Sequence, residues 1–114
     1  MNKAEWDAMA QWQKEVVVAH VLMGWGKLVD SEYTKEYYDL GNMPRYTIDR
    51  NACALVLGEI DTRNLRVEFE DALADESDDP AVFIDARYAI EWAMRLSPDF
   101  ICYCAVKAVE NENT

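Results

Sequence analysis

The chain has 114 residues, of which 51% are hydrophobic, and carries 22 Asp and Glu against 11 Lys and Arg, a formal net charge of −11. This length and apolar content support one domain over residues 1–114 with its own core and a frayed tail at 111–114, so the acidity is not that of a disordered segment. The charge works against direct binding of nucleic acid or of an anionic membrane, and favours a basic protein surface.

The most apolar run, Val16 to Trp25, contains His20 and falls well short of the roughly 20 residues a membrane helix needs. Lys3 is followed by Glu5 and Asp7 rather than by an apolar stretch, so no secretion signal is read and the expected location is the cytoplasm. Cys53, Cys102 and Cys104 are too few for a disulfide scaffold and read as buried, reduced thiols.

Asn2 is placed to cap a first helix running to about Met23. Trp6 and Trp12 lie on different faces of that helix, which suggests either deep packing or a homo-oligomer formed through it. Gly24 and Gly26 end it. Lys27 to Asp39, rich in Tyr and β-branched residues, predicts one or two short strands. Leu40 to Pro44 reads as a loop. Thr47 then looks like the N-cap of a second helix, with Asp49 in its first turn and Ile48, Ala52, Leu55, Val56 and Ile60 as its buried stripe, ending near Arg63-Asn64.

From Leu65 the period changes to two. Leu65, Val67 and Phe69 alternate with Arg66, Glu68 and Glu70, which predicts a half-buried strand. Ala74 to Pro80 reads as a hairpin-like polar connection. A longer alternating run from Val82 to Leu96 predicts a second strand, although a helical period competes there. Ser97-Pro98-Asp99 is a compact helix start that opens a final helix to about Glu110. The elements add up to an α+β fold, with three helices packed on a small, mainly antiparallel sheet in an α-β-α sandwich-like arrangement.

Several short motifs carry a resemblance. Met23-Gly24-Trp25 ends the first helix, Pro44-Arg45-Tyr46-Thr47-Ile48-Asp49 leads into the second, and Ser97-Pro98-Asp99-Phe100-Ile101-Cys102 opens the last. Over residues 13–109 this order resembles the phage ABA sandwich domain, a family of small phage and prophage proteins. The resemblance implies a helix-flanked sheet, a phage or prophage origin and hence the host bacterial cytoplasm. It implies no active site.

No catalytic, cofactor or metal constellation is read. His20 is the only histidine, the four glycines form no phosphate loop, and Asp75-Glu76-Ser77-Asp78-Asp79 lacks the spacing, the central Gly and the distal Glu of a calcium loop. Two surfaces remain as candidates. One is an acidic face of Glu68, Glu70, Asp71, Asp75, Glu76, Asp78 and Asp79, seven carboxylates in the twelve residues from 68 to 79. The other is an aromatic interface of Trp25, Tyr33, Tyr37, Tyr38 and Tyr46, residue types that concentrate in binding hot spots. The leading expectation is a non-enzymatic phage or prophage accessory protein that engages a basic surface of a host or bacterial-defence protein. The alternatives are a homo-oligomeric binder of a nucleotide-type ligand and a nucleic-acid mimic.

Overall fold

The computed structural model of the chain describes residues 1–24, 32–76 (backbone alone at 32–34 and 37) and 96–112. These form six helices: α1 Lys3–Ala8, α2 Gln11–Val21, α3 Glu32–Asp39, α4 Arg50–Thr62, α5 Arg66–Glu76 and α6 Pro98–Glu112. No strand occurs among the described residues, which corrects the expected α+β sandwich and the sheet that the phage-family resemblance implies. The predicted strand over 82–96 lies outside the described residues except for Leu96.

The centre of the fold is α6. Every residue from Ile101 to Val106 is buried, so this helix is apolar all round and has no wet face until its second half. Cys102 and Cys104, about 200° apart around the helix axis, are both fully buried, so opposite sides of this helix are core. The Ser97 start holds as expected: Ser97 Oγ accepts from the Phe100 N–H at 3.2 Å. The helix continues to Glu112, so residues 111 and 112 belong to it rather than to a frayed tail.

Around α6 pack α5, α4 and α2. Val18, Ala19 and Leu22 bring α2 to the core; Ala52, Cys53, Val56 and Ile60 bring α4; Leu65, Phe69, Ala72 and Leu73 bring the start and inner face of α5. A second small cluster, Val16, Tyr38 and Met43 with Trp12 against it, joins α2 to α3 and the loop that follows. Gly24 and Gly41 adopt φ of +73° and +79° just past the ends of α2 and α3, the left-handed conformation in which glycine has no Cβ penalty.

The expected first helix is two. Met9 is extended (φ −74°, ψ 145°), and the Gln13 side chain accepts from the Ala10 N–H at 2.8 Å to restart the chain as α2. This break lets α1 turn Trp6 inward, and Trp6 is fully buried beside Tyr103 of α6 with ring centroids 5.8 Å apart. At α4 the cap is Asp49, whose Oδ1 accepts from the Asn51 N–H at 2.9 Å, rather than Thr47. Thr47 is buried and engaged elsewhere. Leu55 and Ile48, expected in the buried stripe, are each 54% exposed.

The predicted strand at 65–70 is the first part of α5. Asn64 takes φ +59°, the Leu65 N–H donates to Ile60 O at 2.9 Å and the Asn64 N–H to Asp61 O at 3.1 Å, a Schellman closure that reverses the chain sharply into a new helix. Val67, counted as inward in the strand reading, is 66% exposed, while Leu65, Phe69, Ala72 and Leu73 follow the helical period inward. The expected connection from Ala74 begins as the last turn of α5, and the tyrosine-rich stretch read as strand is α3 from Glu32 onward.

Candidate functional site

On a helix, Glu68, Asp71 and Asp75 fall within about 60° of one another around the axis, on the flank of α5 turned away from the core. Asp71 and Asp75 are exposed and Glu68 is half-buried. The opposite flank carries Arg66 and Glu70, which are paired at 3.2 Å. Glu76 points the other way again, its Oε1 accepting from the Tyr103 hydroxyl at 3.0 Å. The seven-residue acidic face is therefore sorted by the helix: three carboxylates form an outer ridge, two are engaged by their own chain, and Asp78 and Asp79 lie outside the described residues. No Lys or Arg of α5 enters the ridge. Glu68 Oε2 is shielded from solvent and lacks a hydrogen-bond partner among the described residues.

The proposed aromatic interface is dispersed. Tyr38 and Tyr46 are buried. The Arg45 guanidinium stacks on the Tyr38 ring at 4.1 Å from its centroid and donates to its hydroxyl, so this tyrosine is occupied as a structural platform. Burial also raises the Tyr38 pKa above its ordinary value. The Trp25 residue and the side chains of Tyr33 and Tyr37 lie outside the described residues. Of the two tryptophans expected on an oligomer-forming first helix, Trp6 is core. Trp12 lines a groove of about 340 Å³ on α2 with Met9, Gln13, Val16, Val17, His20 and Val21. None of these lining residues is Lys or Arg, so they offer no counter-charge to a nucleotide phosphate.

Two polar knots, one buried and one half-buried, lie apart from both candidate surfaces. The first centres on Glu15, fully buried on α2, whose Oε1 accepts from the Thr47 N–H at 3.0 Å. Gln11 Nε2 hydrogen-bonds Thr47 Oγ1, and Glu15 Oε2 has no partner among the described residues. Burial pushes the Glu15 pKa above the ordinary carboxylate value, against the opposing pull of the Thr47 and Gln11 hydrogen bonds and the Arg45 charge. The only linear signal is position: Glu15 precedes Val18 and Ala19 by one helical turn and so shares their inward face.

The second knot is Asp99, in the first turn of α6. It accepts from Trp6 Nε1 at 3.2 Å and Lys14 Nζ at 2.9 Å, with Lys3 Nζ at 3.9 Å. Lys14 and Lys3 also sit over the Trp6 and Tyr103 rings, at 5.4 and 5.3 Å from the centroids. This knot fastens α1 and α2 to the start of α6, and since Lys3 also pairs with Asp7 at 2.7 Å its two cations face two carboxylates.

The cysteines are buried while His20 is exposed, so the sole histidine does not share their surroundings. The Cys102 thiol donates to Tyr46 O at 3.3 Å and the Cys53 thiol to Pro98 O at 4.0 Å; the proximity of the two thiols holds the Cys53 pKa down and, together with burial, pushes the Cys102 pKa up. Burial pushes the Cys104 thiol up to about 12. Among the described residues no group of three or more His, Cys, Asp or Glu is placed to hold a metal ion, and no helix is long and apolar enough to cross a membrane. The chain matches no protein-family model, no curated protein and no solved structure.

Proposed function

We propose that the protein is a non-enzymatic binding module that docks a basic protein surface on the outer ridge of α5. The observation that carries this is the sorting of carboxylates on that helix: Glu70 and Glu76 are held by Arg66 and Tyr103, whereas Glu68, Asp71 and Asp75 line one outward flank without an interleaved cation. A helix holds these three side chains in fixed relative positions, so an array of Lys or Arg can meet them with little loss of freedom on the acidic side. Such a ridge speeds encounter with a cationic surface and disfavours acidic ones, acting on specificity and association rate more than on affinity. A phage or prophage origin belongs to this proposal only through the family resemblance, whose implied sheet the described residues lack.

A decalysine peptide is a suitable probe, with binding measured at several salt concentrations. The triple variant Glu68→Gln, Asp71→Asn, Asp75→Asn is compared with Glu5→Gln, Asp7→Asn, Asp39→Asn, which removes the same charge from exposed acids on α1 and α3. At a few tenths to 1 kcal/mol for each exposed ion pair, the ridge variant should bind about tenfold more weakly and show a shallower salt dependence. The control should lose much less. Equal weakening by both variants would show that net charge alone attracts the peptide, and would remove the ridge as a docking site.

A further inference from the structure

Two of the three buried thiols converge where α4 meets α6. Cys53 is the fourth residue of α4 and Cys102 the fifth of α6, so both lie near helix N-termini, whose field favours a thiolate. Their contacts cross. The Cys53 Sγ reaches Pro98 O at the start of α6, at 4.0 Å, and the Cys102 thiol donates to Tyr46 O, in the loop that leads into α4, at 3.3 Å. Pro98 precedes Cys102 by one helical turn, and a helical side chain leans back over the turn before its own Cα, so the two sulfurs share one gap between the helices. The neighbouring Cys102 thiol lowers the Cys53 pKa against the effect of burial, and the Arg50 charge adds to that lowering. Cys53 also keeps a trace of exposure, 3%, where Cys102 and Cys104 have none. Cys104 stands about 200° around the α6 axis from Cys102, outside this gap, with its thiol pushed up to about 12 by burial.

We propose that Cys53 and Cys102 are a peroxide-reactive thiol pair that closes to a reversible disulfide and locks α4 to α6. Cys53 is the attacking thiol. Its thiolate sulfur bonds to one oxygen of hydrogen peroxide and the O–O bond breaks. The departing hydroxide takes up the proton that Cys53 released, leaving water and a Cys53 sulfenic acid. The Cys102 sulfur then attacks the Cys53 sulfur: the S–S bond forms, the S–O bond breaks, and the oxygen leaves as water with the Cys102 proton. Two thiols and one peroxide thus give one disulfide and two waters, with two electrons passing from sulfur to peroxide. A dithiol reductant reverses the change. Hydrogen peroxide is small and uncharged, so a chain of net charge −11 does not repel it. The bridge closes the chain from 53 to 102, a long loop that contains all of α5, and such a cross-link chiefly restricts the unfolded state.

The test is to treat the folded chain with hydrogen peroxide, then denature it and alkylate with N-ethylmaleimide. Tryptic peptides 51–63 and 96–107, neither of which contains Met, should appear as one species two hydrogen atoms lighter than their sum and separate on reduction. Fragmentation should place the bridge at Cys102 and the maleimide at Cys104. The oxidised chain should unfold at a higher urea concentration than the reduced one. Cys104→Ala should form the same bridge. In Cys102→Ala the sulfenic acid has no thiol to meet, so dimedone should label Cys53, whereas in Cys53→Ala it should label neither remaining cysteine. Maleimide on all three cysteines after peroxide overturns the proposal. So does a bridge to Cys104, a Cys53 sulfinic acid without a bridge, or a bridge that forms only in unfolding concentrations of urea. Dimedone on Cys102 in Cys53→Ala overturns the order of attack, and an oxidised chain no more stable than the reduced one overturns the locking role. The wild-type chain alone reports the bridge and its position, so a variant that fails to fold does not decide the outcome. None of these readouts involves the α5 ridge.

Discussion

Glu15 and the ridge of α5 place the same functional group in opposite surroundings. Glu15 is fully buried, accepts one backbone N–H from Thr47 and leaves its second oxygen without a partner. Asp71 and Asp75 stand in water on the outside of a helix. The first carboxylate fixes where the loop between α3 and α4 lies against α2, and it does so at a desolvation cost. The second group is solvated and should contribute little to folding. Local charge density is therefore a poor guide to energetic importance: Asp71 and Asp75, in the densest acidic stretch, stay solvated, whereas the isolated Glu15 is desolvated.

The largest test of the interior side is Trp6→Ala. It removes a fully buried indole from beside Tyr103 and takes away the donor that Asp99 receives at 3.2 Å. Loss of a buried aromatic should lower the unfolding free energy by about 3–5 kcal/mol, a large share of the total for a domain this size. Urea denaturation would read it as a lower midpoint. A loss below about 1 kcal/mol would mean that α1 is not part of the cooperative core.

Glu15→Gln sharpens the comparison with a smaller effect whose sign depends on pH. Burial raises the Glu15 pKa in the folded state above the ordinary value near 4.5 that the unfolded chain keeps. The folded protein thus holds the proton more tightly. The group's contribution is fully present below the unfolded value, is lost as pH rises through the folded one, and is a constant penalty above it. Gln retains the acceptor for the Thr47 N–H and removes the charge. The variant should be more stable than wild type at pH 7, and the advantage should shrink towards pH 4. Paired urea titrations across that range measure the difference directly, with other titrating groups cancelling. A variant advantage that grows on acidification would show that Glu15 is held as a stabilising anion.

The parts of this fold legible in the sequence are those set by local chemistry. Asn2 caps α1, its Oδ1 accepting from the Glu5 N–H at 2.8 Å, and Ser97-Pro98-Asp99 starts α6 where the pattern of cap, Pro and first-turn acid requires. The errors fall where two periods agree over a short stretch. Leu65 and Phe69 satisfy both a two-residue and a helical repeat, so Val67 alone decided for strand, and its exposure is a tertiary fact. The Asn64 reversal that frees Leu65 to start α5 depends on one residue at positive φ, which Asn tolerates but does not announce. The candidate site was half legible. The acidic stretch was visible as composition, but only a helix, with its 100° step, divides it into an outer ridge and two internally held carboxylates. Tyr38 and Tyr46 illustrate the converse, since residue types typical of interfaces are here core.

The smallest expected effect closes the comparison from the exterior side. The ridge variant Glu68→Gln, Asp71→Asn, Asp75→Asn should unfold within about 0.5 kcal/mol of wild type, because Asp71 and Asp75 are solvated and pay no burial penalty. Its sign should lean towards stabilisation at low salt, where three carboxylates on one flank of a chain of net charge −11 repel one another and their neighbours, and that lean should vanish once salt screens the repulsion. Denaturation at low and high ionic strength separates the two contributions. A destabilisation of more than about 1 kcal/mol at both would mean that the ridge is held by contacts within the chain, with Glu68 and its shielded oxygen the residue to blame. Near-neutral stability combined with weaker peptide binding would separate the ridge from the folding of the domain, the reverse of what Glu15 does.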